Sequence, residues 1–168
     1  MHMVEVPRLD IQKLFEELEK EKVQYVVIGG IAAQQLGLPV PATIDLDITP
    51  KRSAENYKRL SRFFENVGAS LFTAEDGGTW FPYHLLENWS QYNTLHLLTR
   101  FGLLDLVFSP EGAPSGYSQL APDSQLLTVE LAKIRLISEK QWVALKIAAG
   151  REKDLEHLSM YHRDRNVN

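Results

Sequence analysis

The segment Thr43–Ile48 alternates polar and apolar residues, a pattern that restricts it to a strand with two unlike faces. Successive side chains of a strand point to opposite faces, so Asp45 and Asp47 share one face while the apolar residues line the other. Two carboxylates at such a short distance repel each other unless a cation or a proton lies between them. A divalent metal ion is the simplest such partner. The segment therefore predicts a half-buried strand that carries a metal site.

The residues before and after this strand predict alternating helices and strands. An amphipathic helix is expected over Leu9–Lys22 and a buried strand over Tyr25–Ile28, because the first has apolar residues near helical spacing and the second is continuously apolar. Gly29-Gly30 then predicts a loop. A short helix follows over Ile31–Leu36, and a longer one begins after Ser53 as N-cap and runs through Phe64. The order is helix, strand, helix, strand, helix.

The second half of the chain predicts further strands and then two helices. Thr94–Phe108 has two apolar runs around a turn, which indicates a hairpin or two neighbouring strands. Ser138 and Gln141 have the spacing of a capping box, and Gly150 predicts a bend between a helix before it and one over about Arg151–Tyr161. The remaining expectations are a strand at Ala69–Thr73, a turn at Glu75–Gly78, a loop at Pro110–Pro122 and one or two strands within Leu126–Ile137.

Length and composition bound the architecture and the chemistry. A chain of 168 residues with 44% hydrophobic and 24% charged residues predicts one domain with an ordinary core. With the expected order of helices and strands, this indicates an α/β (α+β) fold. There are no cysteines, which excludes disulfides, thiolate metal sites and a cysteine nucleophile. No targeting or membrane-spanning pattern is found, so a cytoplasmic location without membrane partners is expected.

Charge is distributed unevenly along the chain. Residues 133–168 contain eight Lys and Arg against five Asp and Glu, and the rest contains ten against seventeen. A basic C-terminal segment beside an acidic body is suited to binding phosphates opposite a metal site. A solvated helix surface explains the same charges equally well.

A third carboxylate, Asp105, lies inside the second apolar run of the expected hairpin. With Asp45 and Asp47 it can hold one or two Mg²⁺ ions, which prefer oxygen ligands and keep positions open for substrate phosphates. The alternative is that all three are ordinary capping, solvated or ion-paired residues. Gly29 and Gly30 at a strand end let backbone amides approach a phosphate closely, although a plain tight turn has the same sequence.

Three segments together carry a resemblance to a known group of proteins. They are Ile28-Gly29-Gly30-Ile31-Ala32, Thr43-x-Asp45-Leu46-Asp47-Ile48, and Asp105 in a later strand. The set resembles the signature of nucleotidyltransferase-fold proteins of the DNA polymerase β type. The segment from Ala144 to Leu158 resembles the helical end of a subgroup that includes nucleotidyltransferase toxins of bacterial abortive-infection and toxin–antitoxin systems. The resemblance extends from about residue 25 to residue 158. It implies a nucleotidyltransferase fold with a mixed β-sheet flanked by helices, a core at 23–137 and C-terminal helices at 138–163 packed on that core.

The resemblance implies specific roles. Asp45 and Asp47 correspond to the paired metal ligands, Asp105 to the third carboxylate, and Gly29 and Gly30 to the loop that meets the triphosphate. The residues that correspond to the C-terminal nucleotide-binding motif are Lys146, Arg151, Lys153 and Asp154. If one helix carried both lysines, their spacing of seven would align them toward one ligand, with a solvated face as the alternative.

The implied activity is Mg²⁺-dependent transfer of a nucleotidyl group from an NTP to an acceptor hydroxyl. The acceptor stays open among RNA such as tRNA, a protein and a small molecule, and a partner antitoxin is a further expectation. Pro41 stands where many relatives carry an arginine, two residues before the threonine. This departure supports an alternative, a non-catalytic nucleotide-binding or partner-binding protein of the same fold.

Two further groups of residues have open roles. The histidines His84, His96, His157 and His162 show no zinc spacing and are expected to be ordinary surface or core residues. An aromatic cluster could stack a base, form a lid or pack beneath a long loop, and packing is the preferred interpretation. The cluster consists of Trp80, Phe81, Tyr83, Trp89 and Tyr92.

Overall fold

The computed structural model describes residues 5–73 and 80–167. The strands are β1 (Tyr25–Ile28), β2 (Asp45–Pro50), β3 (Ser70–Phe72), β4 (Trp80–Pro82), β5 (Thr94–Thr99), β6 (Gly102–Val107), β7 (Gln125–Val129) and β8 (Ala132–Leu136). The helices are α1 (Ile11–Lys20), α2 (Gly29–Gln35), α3 (Ala54–Asn66), α4 (Tyr117–Leu120), α5 (Glu139–Ala149) and α6 (Glu152–Val167). The turn expected at 75–78 lies outside the described residues.

All eight described strands belong to one mixed sheet, in the order β4-β3-β5-β6-β2-β1-β8-β7. β2 runs parallel to β6 and β1 runs parallel to β8, and the other neighbouring pairs are antiparallel. The expected α/β architecture with a mixed sheet and C-terminal helices is therefore confirmed.

One face of the central strands is buried and the opposite face is more open. Alternate residues of β2, β5 and β6 are fully buried, among them Leu46, Leu95 and Leu104. They share one core cluster with the apolar faces of α1 and α3, which lie against each other. The polar residues between them on the same strands face the other way and are only half-buried. This alternation leaves the polar face available for a functional site.

Side-chain caps begin three of the helices. Asp10, Ser53 and Ser138 each accept a hydrogen bond from the backbone N–H of the residue three positions later. The N-cap expected at Ser53 and the one expected at Ser138 are both confirmed. Such caps satisfy amide groups that have no partner inside the helix, and each contributes about 1 kcal/mol.

Two sequence-based expectations of a loop differ from the structure. The expected loop at Gly29-Gly30 is the first turn of α2, since β1 passes directly into this helix. The expected loop at 110–122 contains α4 and a 3₁₀ turn. The bend expected at Gly150 is confirmed, because Gly150, with φ of +59°, ends α5 and its N–H donates to the carbonyl of Lys146. What differs is the expected alignment of two lysines. Because α6 begins afterwards at Glu152, Lys146 and Lys153 lie on separate helices and are not aligned along one.

Within the described residues, no helix is long and apolar enough to cross a membrane.

Candidate functional site

Strand register brings the three predicted carboxylates together. Asp47 on β2 lies directly beside Asp105 on the parallel strand β6, and Asp45 lies two residues away on the same face of β2. One carboxylate oxygen from each residue can be chosen so that all three lie within 4.8 Å of one another. Carboxylates separated by more than fifty residues of sequence thus form one compact acidic cluster, which we call the carboxylate triad.

Hydrogen bonds hold two members of the triad. The Thr43 hydroxyl donates to Oδ1 of Asp45 at 2.7 Å, and Asp105 Oδ1 lies 2.7 Å from Nδ1 of His96 on β5. The bond to Asp105 raises the pKa of His96, the charges of all three carboxylates act in the same direction, and burial opposes them. His96 therefore faces the triad as a group that favours the cationic form.

The involvement of His96 is absent from the sequence-based expectations. A signal for it does exist in the hairpin, because a two-residue turn at Arg100-Phe101 pairs Thr99 with Gly102. The same register pairs His96 with Asp105. Predicting the turn length would have placed the imidazole beside the carboxylate.

Glycines at the start of α2 make room for the side chains of the adjacent strand segment. A Cβ built on Gly29 would lie 2.2 Å from Oδ2 of Asp47, and Gly29 has a φ of +69°. A Cβ on Gly30 would lie 3.0 Å from the Cβ and Cγ2 atoms of Thr43. The glycine pair thus lets the carboxylate of Asp47 and the threonine that orients Asp45 lie against the helix N-terminus.

Burial and repulsion strongly affect Asp47. Burial and, after it, the charges of Asp45 and Asp105 together raise its pKa from the ordinary 3.8 to about 7. The positive charge of Lys146 opposes the shift without cancelling it. Without a compensating cation, the surroundings of Asp47 therefore favour its protonated form well above the ordinary range of an aspartate.

This electrostatic strain predicts a pH-dependent stability. Between pH 3.8 and about 7 the unfolded chain releases the Asp47 proton while the folded protein keeps it, so the free energy of unfolding falls as pH rises through this window. We expect Asp47→Asn to stabilise the metal-free protein at pH 8 by about 1–3 kcal/mol, after a discount for partial solvent screening. The gain should shrink toward pH 4. Urea unfolding of both proteins across this pH range measures it.

Added Mg²⁺ provides the control for this prediction. A cation bound by the triad relieves the same repulsion, so Mg²⁺ should stabilise the wild type more than Asp47→Asn. A variant whose stability relative to the wild type stays constant from pH 4 to pH 8 would contradict the prediction.

The C-terminal helices bring positive charge close to the triad. The indole Nε1 of Trp142 on α5 donates to the carbonyl of Gly29 at 3.2 Å, which attaches α5 to the start of α2. Lys146 follows one turn later, and its charge acts on Asp47. Arg151, between α5 and α6, also interacts electrostatically with Asp47.

Asp154 holds these two cations in place. It is 1% exposed and accepts hydrogen bonds from Lys146 Nζ at 3.2 Å and from Arg151 Nε at 2.8 Å. Burial disfavours its charged form, but the bonds from Arg151 and Lys146 outweigh this and keep the pKa of Asp154 below its ordinary value. Lys153, in contrast, is an exposed residue of α6. The structure thus joins Lys146, Arg151 and Asp154 into one ion-paired group. We call its two cations, Lys146 and Arg151, the basic group.

The triad fits a hard divalent cation. Its members are all carboxylates, the ligands that Mg²⁺ prefers, and they converge on one face of the sheet. Burial and the charges of Asp45 and Asp105 raise the pKa of Asp47, and a cation bound by the triad would offset this electrostatic cost.

Comparisons with known proteins bear on the fold. No family model matches the chain, and no curated protein matches it significantly. Among solved structures, the chain is similar to the crystal structure of a proposed nucleotidyltransferase from Thermotoga maritima. The sequences are 18% identical, the match covers 92% of this chain and 91% of the other, and the TM-score is 0.54. The protein therefore has a nucleotidyltransferase fold, and this fold carries an acidic triad suited to a metal ion.

Proposed function

We propose that this protein is a Mg²⁺-dependent nucleotidyltransferase that transfers a nucleoside monophosphate from an NTP to an acceptor hydroxyl. The observation that supports this proposal best is the convergence of Asp45, Asp47 and Asp105 within 4.8 Å in a nucleotidyltransferase fold. Placing three carboxylates this near to one another costs electrostatic free energy unless a cation compensates their charges. A function that uses a divalent cation accounts for the arrangement.

The proposed reaction breaks one phosphoanhydride bond of the NTP and forms one phosphoester bond to the acceptor. The acceptor oxygen forms a bond to the α-phosphorus, the bond from that phosphorus to the oxygen bridging to the β-phosphate breaks, and pyrophosphate leaves with that electron pair. The hydroxyl proton passes to Asp105, whose position His96 fixes. Mg²⁺ held by the triad would neutralise charge on the triphosphate and help align the two oxygens.

The triphosphate is proposed to bind on the side of the triad where α2 begins. Gly29 and Gly30 lie there, and Lys146 and Arg151 supply positive charge. Asp154 is too buried to touch a nucleotide, so its contribution is to hold Lys146 and Arg151 toward the site. Lys153 would reach a phosphate only from α6, at the edge of the site.

Lys146 and Lys153 are therefore expected to differ in importance. We expect Lys146→Met to raise the KM for the NTP about tenfold, which corresponds to the loss of one charge-assisted contact of about 1.4 kcal/mol. Lys153→Met, which removes the same charge from an exposed position, should change KM less than threefold, or by about 0.6 kcal/mol. Steady-state kinetics with varied NTP measures both values. Equal effects of the two substitutions would contradict this assignment.

The resemblance of residues 144–158 to a toxin subgroup supports a finer proposal. In it the protein is the cytoplasmic toxin of a toxin–antitoxin pair, a partner protein restrains it, and its acceptor is RNA, a protein or a small molecule. Controlled expression in a bacterial host tests the toxin role. Growth arrest by the wild type but not by Asp105→Asn is the expected result. Normal growth with both proteins would contradict the toxin role.

Labelling tests the activity itself. Each of the four NTPs, labelled at the α-phosphate, is incubated with the protein, a cell lysate and Mg²⁺, and we expect one NTP to label one class of acceptor. Chelation of Mg²⁺ should abolish the label. Calorimetric NTP binding without transfer would favour the alternative, a non-catalytic nucleotide-binding protein, for which the presence of Pro41 in place of an arginine is the main support.

A further inference from the structure

A continuous row of side chains crosses five strands and ends in the triad. Strand registers pair each member with the next, from the edge strand β4 through β3, β5 and β6 to β2. Directly paired residues share one face of a sheet, so the whole row faces the same way. In order across the sheet, the row is Trp80, Phe72, His96, Asp105 and Asp47.

Four members of the row, from Trp80 to Asp105, line a cleft. A cavity of about 340 Å³ is lined by Asp45, Phe72, Trp80, His96, Leu103 and Asp105. The ring centroids of Phe72 and Trp80 are 5.3 Å apart, and those of Phe72 and His96 are 5.8 Å apart. Trp80 and Phe72 are both half-buried, so part of each ring surface faces the cleft. We call these two residues the aromatic wall.

The aromatic wall and the basic group lie on opposite sides of the triad. Lys146 and Arg151 approach Asp47 from α5 and the start of α6, near α2 and β1. The wall lies on β3 and β4, beyond β5, at the other end of the row. A triphosphate held by the basic group leaves the wall to the molecule that approaches from the Asp105 side. In the proposed reaction this molecule is the acceptor.

The spacing of the row indicates the chemistry of that acceptor. Neighbouring strands are about 4.8 Å apart, so the wall begins about 10 Å from Asp105 across two strand spacings. A planar ring stacked there must be joined to the reacting hydroxyl through a spacer. A nucleoside has this form, because its ribose separates the base from the hydroxyl groups. A tyrosine side chain carries its hydroxyl on the ring and is too short, and an aliphatic hydroxyl has no ring to stack.

We propose that the acceptor is a nucleoside whose base stacks on Phe72 and Trp80 while a ribose hydroxyl faces Asp105. This inference rests on the proposed nucleotidyltransferase function. The ribose oxygen forms the new bond to the α-phosphorus, pyrophosphate leaves, and the ribose proton passes to Asp105. Free nucleosides and the end of an RNA strand present the same base and ribose.

Tryptophan fluorescence tests the stacking without NTP, Mg²⁺ or turnover. Trp89 and Trp142 are only 7% and 1% exposed, so quenching by a base that stacks in the cleft reports on the half-buried Trp80. We expect saturable quenching by adenosine or cytidine, or by a short RNA with a free 3′ end. Tighter binding of the RNA assigns the site to a strand end, whereas equal binding assigns it to nucleosides in general.

Substitutions in the wall provide the second measurement. Trp80→Leu and Phe72→Leu should each weaken nucleoside binding about 5- to 100-fold, the range found when base-stacking aromatic residues are removed. Trp80→Phe, which keeps a ring, should restore most of the binding in a label-free assay. Phe81→Leu is the matched control, because Phe81 is the next residue of the same strand and faces the opposite side of the sheet.

Failure of this inference is distinguishable from failure of the proposed function. Absence of saturable binding by either nucleosides or RNA would overturn the nucleoside acceptor, while labelling of another acceptor could still demonstrate transfer. Conversely, Asp47→Asn should lose transfer and keep nucleoside binding, and this result would support the wall as a separate subsite.

Discussion

Asp47→Asn is expected to reduce kcat/KM for nucleotidyl transfer by at least about a thousandfold, which corresponds to about 4 kcal/mol of transition-state stabilisation. Asp47 is the central member of the triad. It pairs directly with Asp105 on β6 and lies two residues from Asp45 on the same face of β2. Asparagine has nearly the same shape but no charge. Release of pyrophosphate or incorporation of α-labelled NTP measures the loss.

The stability of the same variant makes this result easier to interpret. Because Asp47→Asn should stabilise the metal-free protein at pH 8, a loss of transfer cannot be assigned to unfolding. Asp123→Asn, at an exposed carboxylate on the 3₁₀ turn after α4, serves as the matched control and should leave transfer unchanged. Transfer by Asp47→Asn within a few-fold of the wild type would remove the triad from the proposed mechanism.

The second large effect is expected from Gly29→Ala. The added methyl group would lie 2.2 Å from Oδ2 and 3.0 Å from Cγ of Asp47, so the carboxylate must leave its position. The φ of +69° adds a conformational cost of about 1 kcal/mol for a residue with a Cβ. We expect a destabilisation of about 2–4 kcal/mol in total and a loss of transfer of at least about a hundredfold.

Gly37→Ala separates the two causes. Gly37 has a φ of +71°, almost the same as Gly29, but no atom lies within 4 Å of a Cβ built there. Its substitution should cost only the conformational energy, about 1 kcal/mol, and should not affect transfer. Thermal unfolding and the transfer assay on both variants test this difference. Equal activity of the two variants would contradict the steric role assigned to Gly29.

Much of the fold could be predicted from local patterns. The alternation in Thr43–Ile48 predicted a strand with both aspartates on one face. The structure has both on one face of β2, which begins at Asp45, after an exposed Ile44. Ser53 and Ser138 predicted helix starts that are confirmed, since a capping hydrogen bond joins residues only three positions apart. These features depend on interactions between near neighbours in sequence. Such interactions are encoded directly in the order of residues.

The boundaries that were wrong depend on contacts that are distant in sequence. Gly29-Gly30 has the composition of a loop, yet α2 begins there, because a distant strand and α5 surround it. Asp47 occupies the space beside Gly29, and Trp142 donates to its carbonyl. The low helix propensity of glycine alone predicts a loop at this position. Tertiary packing must offset the helix-propensity cost of glycine, which is about 1 kcal/mol per residue.

The features of the candidate site likewise divide into those set by local sequence patterns and those set by tertiary packing. The sequence by itself determined which residues can bind a cation and that Asp45 and Asp47 share a face, because a strand alternates with a period of two. Only the tertiary structure decided that Asp105 lies beside Asp47 and that Trp80 and Phe72 continue the same row. The pairing of His96 with Asp105 differs, because the two-residue turn of the β5–β6 hairpin is a local signal for it. Strand order, and the register of strands that no short turn joins, arise from the packing of the whole sheet on its core and are absent from local patterns in the chain.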